Sequence, residues 1–286
     1  MRDYQTKIIH FVVFIILVAS AATTMAQTIT IHTLKKAPIT DGLNGEWHDI
    51  PAIKVDLHKT NNNTYQHITH ILIKGGTYAG SIYFFIEWED DSHNDIHKPW
   101  VWNAKRSKYS KGPQREDRLA MQFAMDGDFT NDWLSGQGFR ADIWHWKASR
   151  SNPIGLAHDK STTISTRKIL RSAKLKSPDG KDIYIARPSD AGDKLYRTKR
   201  YRKYVEDIMP KYILTQNPQG SVADVKAKGL WKNGRWYLEI ERKLDTQHND
   251  DVKFPDAGGT LTGAIAVFNA SENEDHSISD ILNFTF

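Results

Sequence analysis

From Thr28 to Phe284 the chain is a series of short segments in which side chains alternate with a period of two, separated by Gly, Asn and Asp punctuation. That period sends successive residues to opposite faces of an extended strand. Thr28 to Leu34 alternates, and Ile68 to Lys74 is a short apolar run. Ser81-Ile82-Tyr83-Phe84-Phe85-Ile86-Glu87-Trp88 is rich in aromatic and β-branched residues and reads as a central strand. In Arg118 to Met125, Leu119, Met121, Phe123 and Met125 share one face, and Ala120, Gln122 and Ala124 the other. In Ala141 to Ala148, Trp144 and Trp146 share a face, so Ile143, His145 and Lys147 face away from them. Ala227 to Arg242 reads as a hairpin with an Asn233-Gly234 turn. Gly263 to Phe268 and Ser277 to Phe284 supply the last strands. Strands at this spacing predict an all-β, antiparallel β-sandwich. Residues 156 to 220 are long, polar and weakly patterned, and are expected to form an irregular, partly helical insertion, with Ala191 to Met209 as the helical candidate.

The first 26 residues are set apart. Arg2 and Lys7 precede an apolar stretch from Ile8 to Ala22, and Thr24-Met25-Ala26 puts small residues before Gln27. This is the pattern of a signal peptide cleaved after Ala26, and the apolar stretch is shorter than the roughly 20 residues of a membrane span. Residues 27 to 286 are expected to be one periplasmic domain without a membrane span. The chain has no cysteine, which excludes disulfides, thiolate metal sites and covalent haem attachment. Nine tryptophans, eleven tyrosines and eleven phenylalanines supply a large apolar core instead. The net charge of +5 is modest, and much of it sits in Tyr196 to Tyr204. That run reads as a solvated face or a docking patch for an acidic protein, and an exported chain is not expected to meet nucleic acid.

No Gly-x-Ser-x-Gly, His-Glu-x-x-His, phosphate loop or dinucleotide fingerprint is present, so the chain is not expected to be an enzyme. His145 reads either as a structural histidine on a strand or as a metal ligand. His276 lies in a charged, turn-like segment. Met121 and Met125 read first as core residues. Lys147, Arg150 and Arg242 are cations beside apolar strands, where snorkelling to the surface is the simplest reading. His158-Asp159 is a weak metal signal, and Asp126-Gly127-Asp128 reads as a solvated loop. Ser151-Asn152-Pro153-Ile154-Gly155 reads as a rigid turn.

The order of these segments carries more information than any one of them. Asp41-Gly42 to Trp47 comes first, followed by the aromatic strand that ends in Glu89-Asp90-Asp91. Then come Glu116 to Phe123, Asp142-Ile143-Trp144-His145-Trp146-Lys147-Ala148, Gly229-Leu230-Trp231 with Gly234, Trp236, Arg242 and Leu244, and finally Ala266-Val267-Phe268. The whole resembles the haem-binding domain of the ethylbenzene dehydrogenase gamma-subunit family. That family includes the small b-haem subunits of periplasmic molybdenum enzymes acting on dimethyl sulfide, selenate and chlorate.

The resemblance implies a sandwich related to family 9 carbohydrate-binding modules, holding one b-type haem non-covalently and passing electrons to a redox partner or to molybdoenzyme subunits. Members with a known site use a methionine and a lysine as axial ligands. At the lysine's place this chain has His276, and imidazole is a common haem ligand. The loop that should carry the methionine, Asp126 to Arg140, has none, and Leu134-Ser135-Gly136 stands there. His145 and His276 are therefore the candidate iron ligands, with Met121 a further cofactor-binding candidate and Lys147 and Arg150 candidate propionate partners. The alternatives are a carbohydrate-binding module, with Trp100 and Trp102 as sugar platforms, and a haem-free scaffold of the cell envelope.

Overall fold

The computed structural model describes residues 26–255 and 257–286. The leader expected in residues 1 to 26 lies, except for Ala26, outside the described residues. In chain order the strands begin with β1 (Gln27–Thr33), β2 (Ile53–Lys59), β3 (His70–Tyr78) and β4 (Ser81–Glu89). The short β5 (Trp100–Asn103) and β6 (Lys108–Lys111) precede the long β7 (Arg118–Gly127) and β8 (Phe139–Lys147). Next come β9 (His158–Ser165), β10 (Ala173–Lys176), β11 (Asp182–Ala186), β12 (Tyr196–Thr198), β13 (Ile208–Met209) and β14 (Tyr212–Leu214). The chain closes with β15 (Lys226–Trp231), β16 (Arg235–Lys243), β17 (Thr260–Phe268), β18 (Ser277–Ser279) and β19 (Leu282–Thr285).

Two layers face each other. One runs β10-β11-β9-β8-β7-β17, and the other β2-β3-β4-β16-β15. They join along one side, where β18 pairs with both β17 and β2, and where β1 pairs with β19 and β3. The tryptophans expected to point inward do so. Trp146 meets Trp236 edge-on at 4.9 Å and Trp88 at 6.1 Å, and Trp144 meets Phe123 at 4.8 Å. Alternation fixes the rest: Leu119, Met121 and Phe123 of β7 lie fully buried in this core.

The insertion differs from expectation. Among the described residues helix is confined to single 3-10 turns such as Gly45–Trp47, and Ala191 to Met209 contains no α-helix. Instead β9, β11 and β10 extend the first layer, while β12 pairs with β14 and β13 pairs with β5. The cause is tertiary. Leu195 packs on Leu156 and Val222, and Tyr196 and Tyr212 hold Arg150, so the segment is shaped by what it covers rather than by its own period.

Two motifs turn out to be clamps. The Asp41-Gly42 to Trp47 motif closes over Glu239 on the outer face of β16. Trp47 Nε1 donates to Glu239 at 2.7 Å, and the Asp41 and Gly42 amides donate at 2.8 Å. Burial pushes this carboxyl up to about 7. Gly42, at φ +85°, adopts a backbone that side chains rarely take. The Ser-Asn-Pro-Ile-Gly turn after β8 serves β15. Asn152 Oδ1 accepts from Trp146 Nε1 at 3.0 Å and from the Gly229 amide at 2.7 Å, and Asn152 Nδ2 donates to the Gly229 carbonyl at 3.0 Å. Gly229 lies against the Trp146 ring, with no space for a β-carbon. Gly229→Ala is therefore expected to destabilise the fold by about 1–3 kcal/mol through overpacking. Thermal unfolding checks this, and an unchanged Tm would mean that the hairpin does not bear on Trp146.

Candidate functional site

The outward face of β17, β7 and β8 is where the candidate residues meet. In register across these strands, Phe268 faces Arg118 and Arg118 faces Lys147, while Ala266 faces Ala120 and Ala120 faces His145. A sheet centre is normally covered by large side chains. Here the middle of the face is floored by Ala120 and Ala266, both only half-buried. Ile278 of β18 pairs beside Ala266. The loop after β7 brings up Trp133, whose indole donates to Gln122 at 3.3 Å and carries Arg187 over its ring at 4.8 Å.

His276 and His145 both come to this face. Phe268 joins them, its ring 4.7 Å from that of His276 and 5.7 Å from that of His145, with near-parallel planes. Arg118 stacks on Phe268 at 4.1 Å and ties down the loop before His276. Its guanidinium donates to Asn273 Oδ1 and the Ser271 carbonyl at 2.8 Å, and to the Glu272 carbonyl at 3.2 Å.

The two imidazoles differ in one useful way. His276 Nδ1 lies 3.1 Å from the Asn273 carbonyl. A carbonyl only accepts, so Nδ1 carries the hydrogen and Nε2 carries the lone pair. Ligating histidines usually have this arrangement, with one nitrogen donating to a fixed acceptor and the other free for the metal. Burial lowers the His276 pKa to about 4, against the raising effect of the Asn273 bond, so the ring is neutral near pH 7. His145 is buried, and its Nε2 has no hydrogen-bond partner. Burial, with Lys147 and Arg118 nearby, holds it well below the usual histidine range. An orphaned imidazole nitrogen inside a protein is costly unless something meets it.

The other candidates separate from this pair. Met121 is in the core, opposite Trp144, on the far side of β7 from His145, because strand alternation that turns His145 outward turns Met121 inward. It cannot reach a group bound on the outer face. Met125 also packs against the core. Lys147 and Arg150 are not snorkelling surface cations. Lys147 is buried and donates to His158 Nδ1 at 2.7 Å, while His158 Nε2 donates to Ser189 Oγ at 2.8 Å. Burial drives the Lys147 pKa well down. Arg150 is paired with the fully buried Glu116, which also accepts the amides of Ser149 and Arg150 at 2.7 and 3.0 Å. Both cations hold the 189 to 214 segment against the sheet instead of lining the alanine floor. Arg242 is wholly buried and paired with Asp142 at 2.6 Å. Leu134 packs toward Phe139 and Ile164. Trp100 and Trp102 lie half-buried in the small β13-β5-β6 sheet, where Trp100 Nε1 donates to the Lys199 carbonyl and Trp102 packs edge-on to Tyr109 and Tyr204. Asp126 to Asp128 is exposed, as expected.

Sequence reading overlooked Phe268 as the joining ring, Asn273 as the fixed acceptor, and the alanine floor. The last had a signal: small residues share one face in each of two strands, at Ala120 and Ala124 and at Ala264 and Ala266.

The chain is an all-β sandwich with His145 and His276 each against Phe268 on the outer face of one layer. It belongs to the ethylbenzene dehydrogenase family, whose model matches residues 44–279. No curated protein sequence matches it. Solved structures with a similar course include a family 9 carbohydrate-binding module from Caldicellulosiruptor kristjanssonii in complex with glucose. It has 10% identity and a TM-score of 0.38, over 89% of this chain and 85% of that one. Another is a putative carbohydrate-binding protein from Bacteroides uniformis, with 8% identity and a TM-score of 0.43, over 90% of this chain and 91% of that one. Among the described residues no helix is long and apolar enough to cross a membrane.

Proposed function

We propose that this chain is a periplasmic b-type haem protein that relays electrons as a subunit or partner of a molybdenum enzyme, and has no substrate chemistry of its own. The observation that carries the reading is His276, with Nδ1 committed to Asn273 and Nε2 free, beside an alanine-floored face. Family membership supports it. The residues present fit the group in donor chemistry: two neutral imidazoles, an aromatic wall and a floor of small side chains. When bound, haem supplies a one-electron iron couple. The chain's own residues do the remaining work. His276 would offer an iron-binding nitrogen, Arg118 and Asn273 would fix its loop, and Phe268 would order the apolar wall. His145, whose Nε2 lacks a partner, would be the second nitrogen donor, and its ring contact with Phe268 means that the phenyl would have to shift for His145 to serve. The absence of methionine from the loop carrying Leu134 makes an imidazole the strongest donor on this face. Export through residues 1 to 26 would place the chain in the periplasm, and the basic Tyr196 to Tyr204 segment would dock the partner.

The test is an absorption spectrum of protein purified from the periplasm, oxidised and then reduced with dithionite. A Soret band with sharp reduced α and β bands, and haem extractable into acidified solvent, is the expected result. If no Soret band forms even after haem is added to the purified chain, the electron-relay reading fails, and binding to glycans becomes the next assay.

A further inference from the structure

On the opposite side of β8 from His145, four buried aspartates converge. They are Asp142 of β8, Asp159 of β9, Asp190 in the segment after β11, and Asp251 in the loop between β16 and β17. Asp142 and Asp159 are 0% exposed, and Asp190 and Asp251 are 7% exposed. Each offers an oxygen, and those oxygens lie within 4.8 Å of one another.

Part of this set is accounted for. Asp142 Oδ2 accepts from Arg242 Nη1 at 2.6 Å, the Val252 amide at 3.1 Å and Trp144 Nε1 at 3.3 Å. Asp159 Oδ1 accepts from the Lys160 amide, and Asp251 Oδ2 from Thr246 Oγ1 at 2.5 Å. Five carboxylate oxygens then have no donor: Asp142 Oδ1, Asp159 Oδ2, both oxygens of Asp190, and Asp251 Oδ1. One guanidinium cannot balance four carboxylates. Buried oxygens without donors are rare in proteins because each forfeits its hydration.

We propose that this cluster binds one divalent cation, calcium by its chemistry, as a clamp between β8, β9 and the two loops that carry Asp190 and Asp251. The donors are all hard oxygens, which suit calcium, magnesium and manganese better than softer metals. Calcium holds oxygens at about 2.3–2.6 Å, so ligands across it lie roughly 4.6–5.2 Å apart. The four-aspartate set fits that span. Magnesium, at about 2.0–2.1 Å, keeps several waters, and a cluster this buried offers little space for them. The site also reaches toward the surface through a second group, Asp224 and His248, which shares Asp251; His248 lies 2.7 Å from Asp224.

The experiment uses the full chain, stripped with a chelator and desalted. Calcium is expected to raise its Tm and to bind at one ion per chain. Terbium should emit when excited through tryptophan, because Trp144 touches Asp142, and calcium should quench that emission by displacement. Asp190→Asn should weaken calcium binding more than about tenfold, since ligand charge sets the affinity of such sites, while His248→Ala should leave it unchanged. A stripped wild-type chain whose Tm ignores calcium and which gives no terbium emission overturns the proposal. So does binding that survives Asp190→Asn but is lost in His248→Ala, which would place the ion at the outer group. If Asp190→Asn fails to fold, the wild-type calcium and terbium titrations decide. None of these readouts depends on haem.

Discussion

His276→Ala is expected to remove the six-coordinate spectrum and to weaken haem binding by more than about 100-fold. Loss of an outer partner of a ligating residue already costs about 10–100-fold in metal affinity, and His276 would be the ligand itself. His276 lies at the edge of the sandwich, half-buried, in a loop held by Arg118, so its loss leaves the core intact. The apoprotein should keep its Tm within a few degrees, which separates loss of ligation from loss of fold. His145→Ala is the companion measurement. If His145 supplies the second nitrogen, this variant should keep haem but shift from a low-spin to a five-coordinate spectrum. If it binds haem with an unaltered spectrum, His145 is structural. Wild-type affinity in His276→Ala would refute the assignment of His276.

The second large effect is expected at Arg242, whose guanidinium is buried against Trp144 and Phe254 at 4.9 and 5.0 Å. It pairs with Asp142 and donates to the Val252 carbonyl. Breaking one side of a buried ion pair strands the other charge and costs about 3–5 kcal/mol. In a domain of this size Arg242→Met should lower Tm by roughly 6–20 °C. Acid should rescue part of the loss. Burial raises the Asp142 pKa even with Arg242 present. Without the guanidinium its protonated form is favoured further, so a fall in pH removes the stranded charge. The double variant Asp142→Leu with Arg242→Met, in calcium-free buffer, should also recover part of the stability. Equal Tm for wild type and Arg242→Met would mean that the pair is not formed in solution.

The strands, their faces and the one-sided placement of the tryptophans are legible in the sequence because alternation is a local property. A strand with Trp144 and Trp146 inward must turn His145 and Lys147 outward. The same rule separates Met121 from His145, although the sequence alone does not say which side of β7 a cofactor would use. The segment from 156 to 220 resisted reading for the opposite reason. Its strands form against Arg150, Leu156 and β9 rather than from their own period, so the local pattern does not reveal them. Lys147, Arg150 and Arg242 looked like surface cations because their partners, His158, Glu116 and Asp142, are chosen by packing rather than by spacing along the chain.

What the sequence by itself determined was the all-β sandwich, the family to which the chain belongs, and the two histidines worth following. These rest on residue order and period. The tertiary structure alone decided that Phe268 joins those histidines, that Asn273 leaves Nε2 of His276 free, and that four aspartates from β8, β9 and two distant loops share one buried space. The physical reason is that buried charge is governed by distances in space, and the packing of a loop and of Arg242 against β8 brings together residues as far apart as Asp142 and Asp251 along the chain.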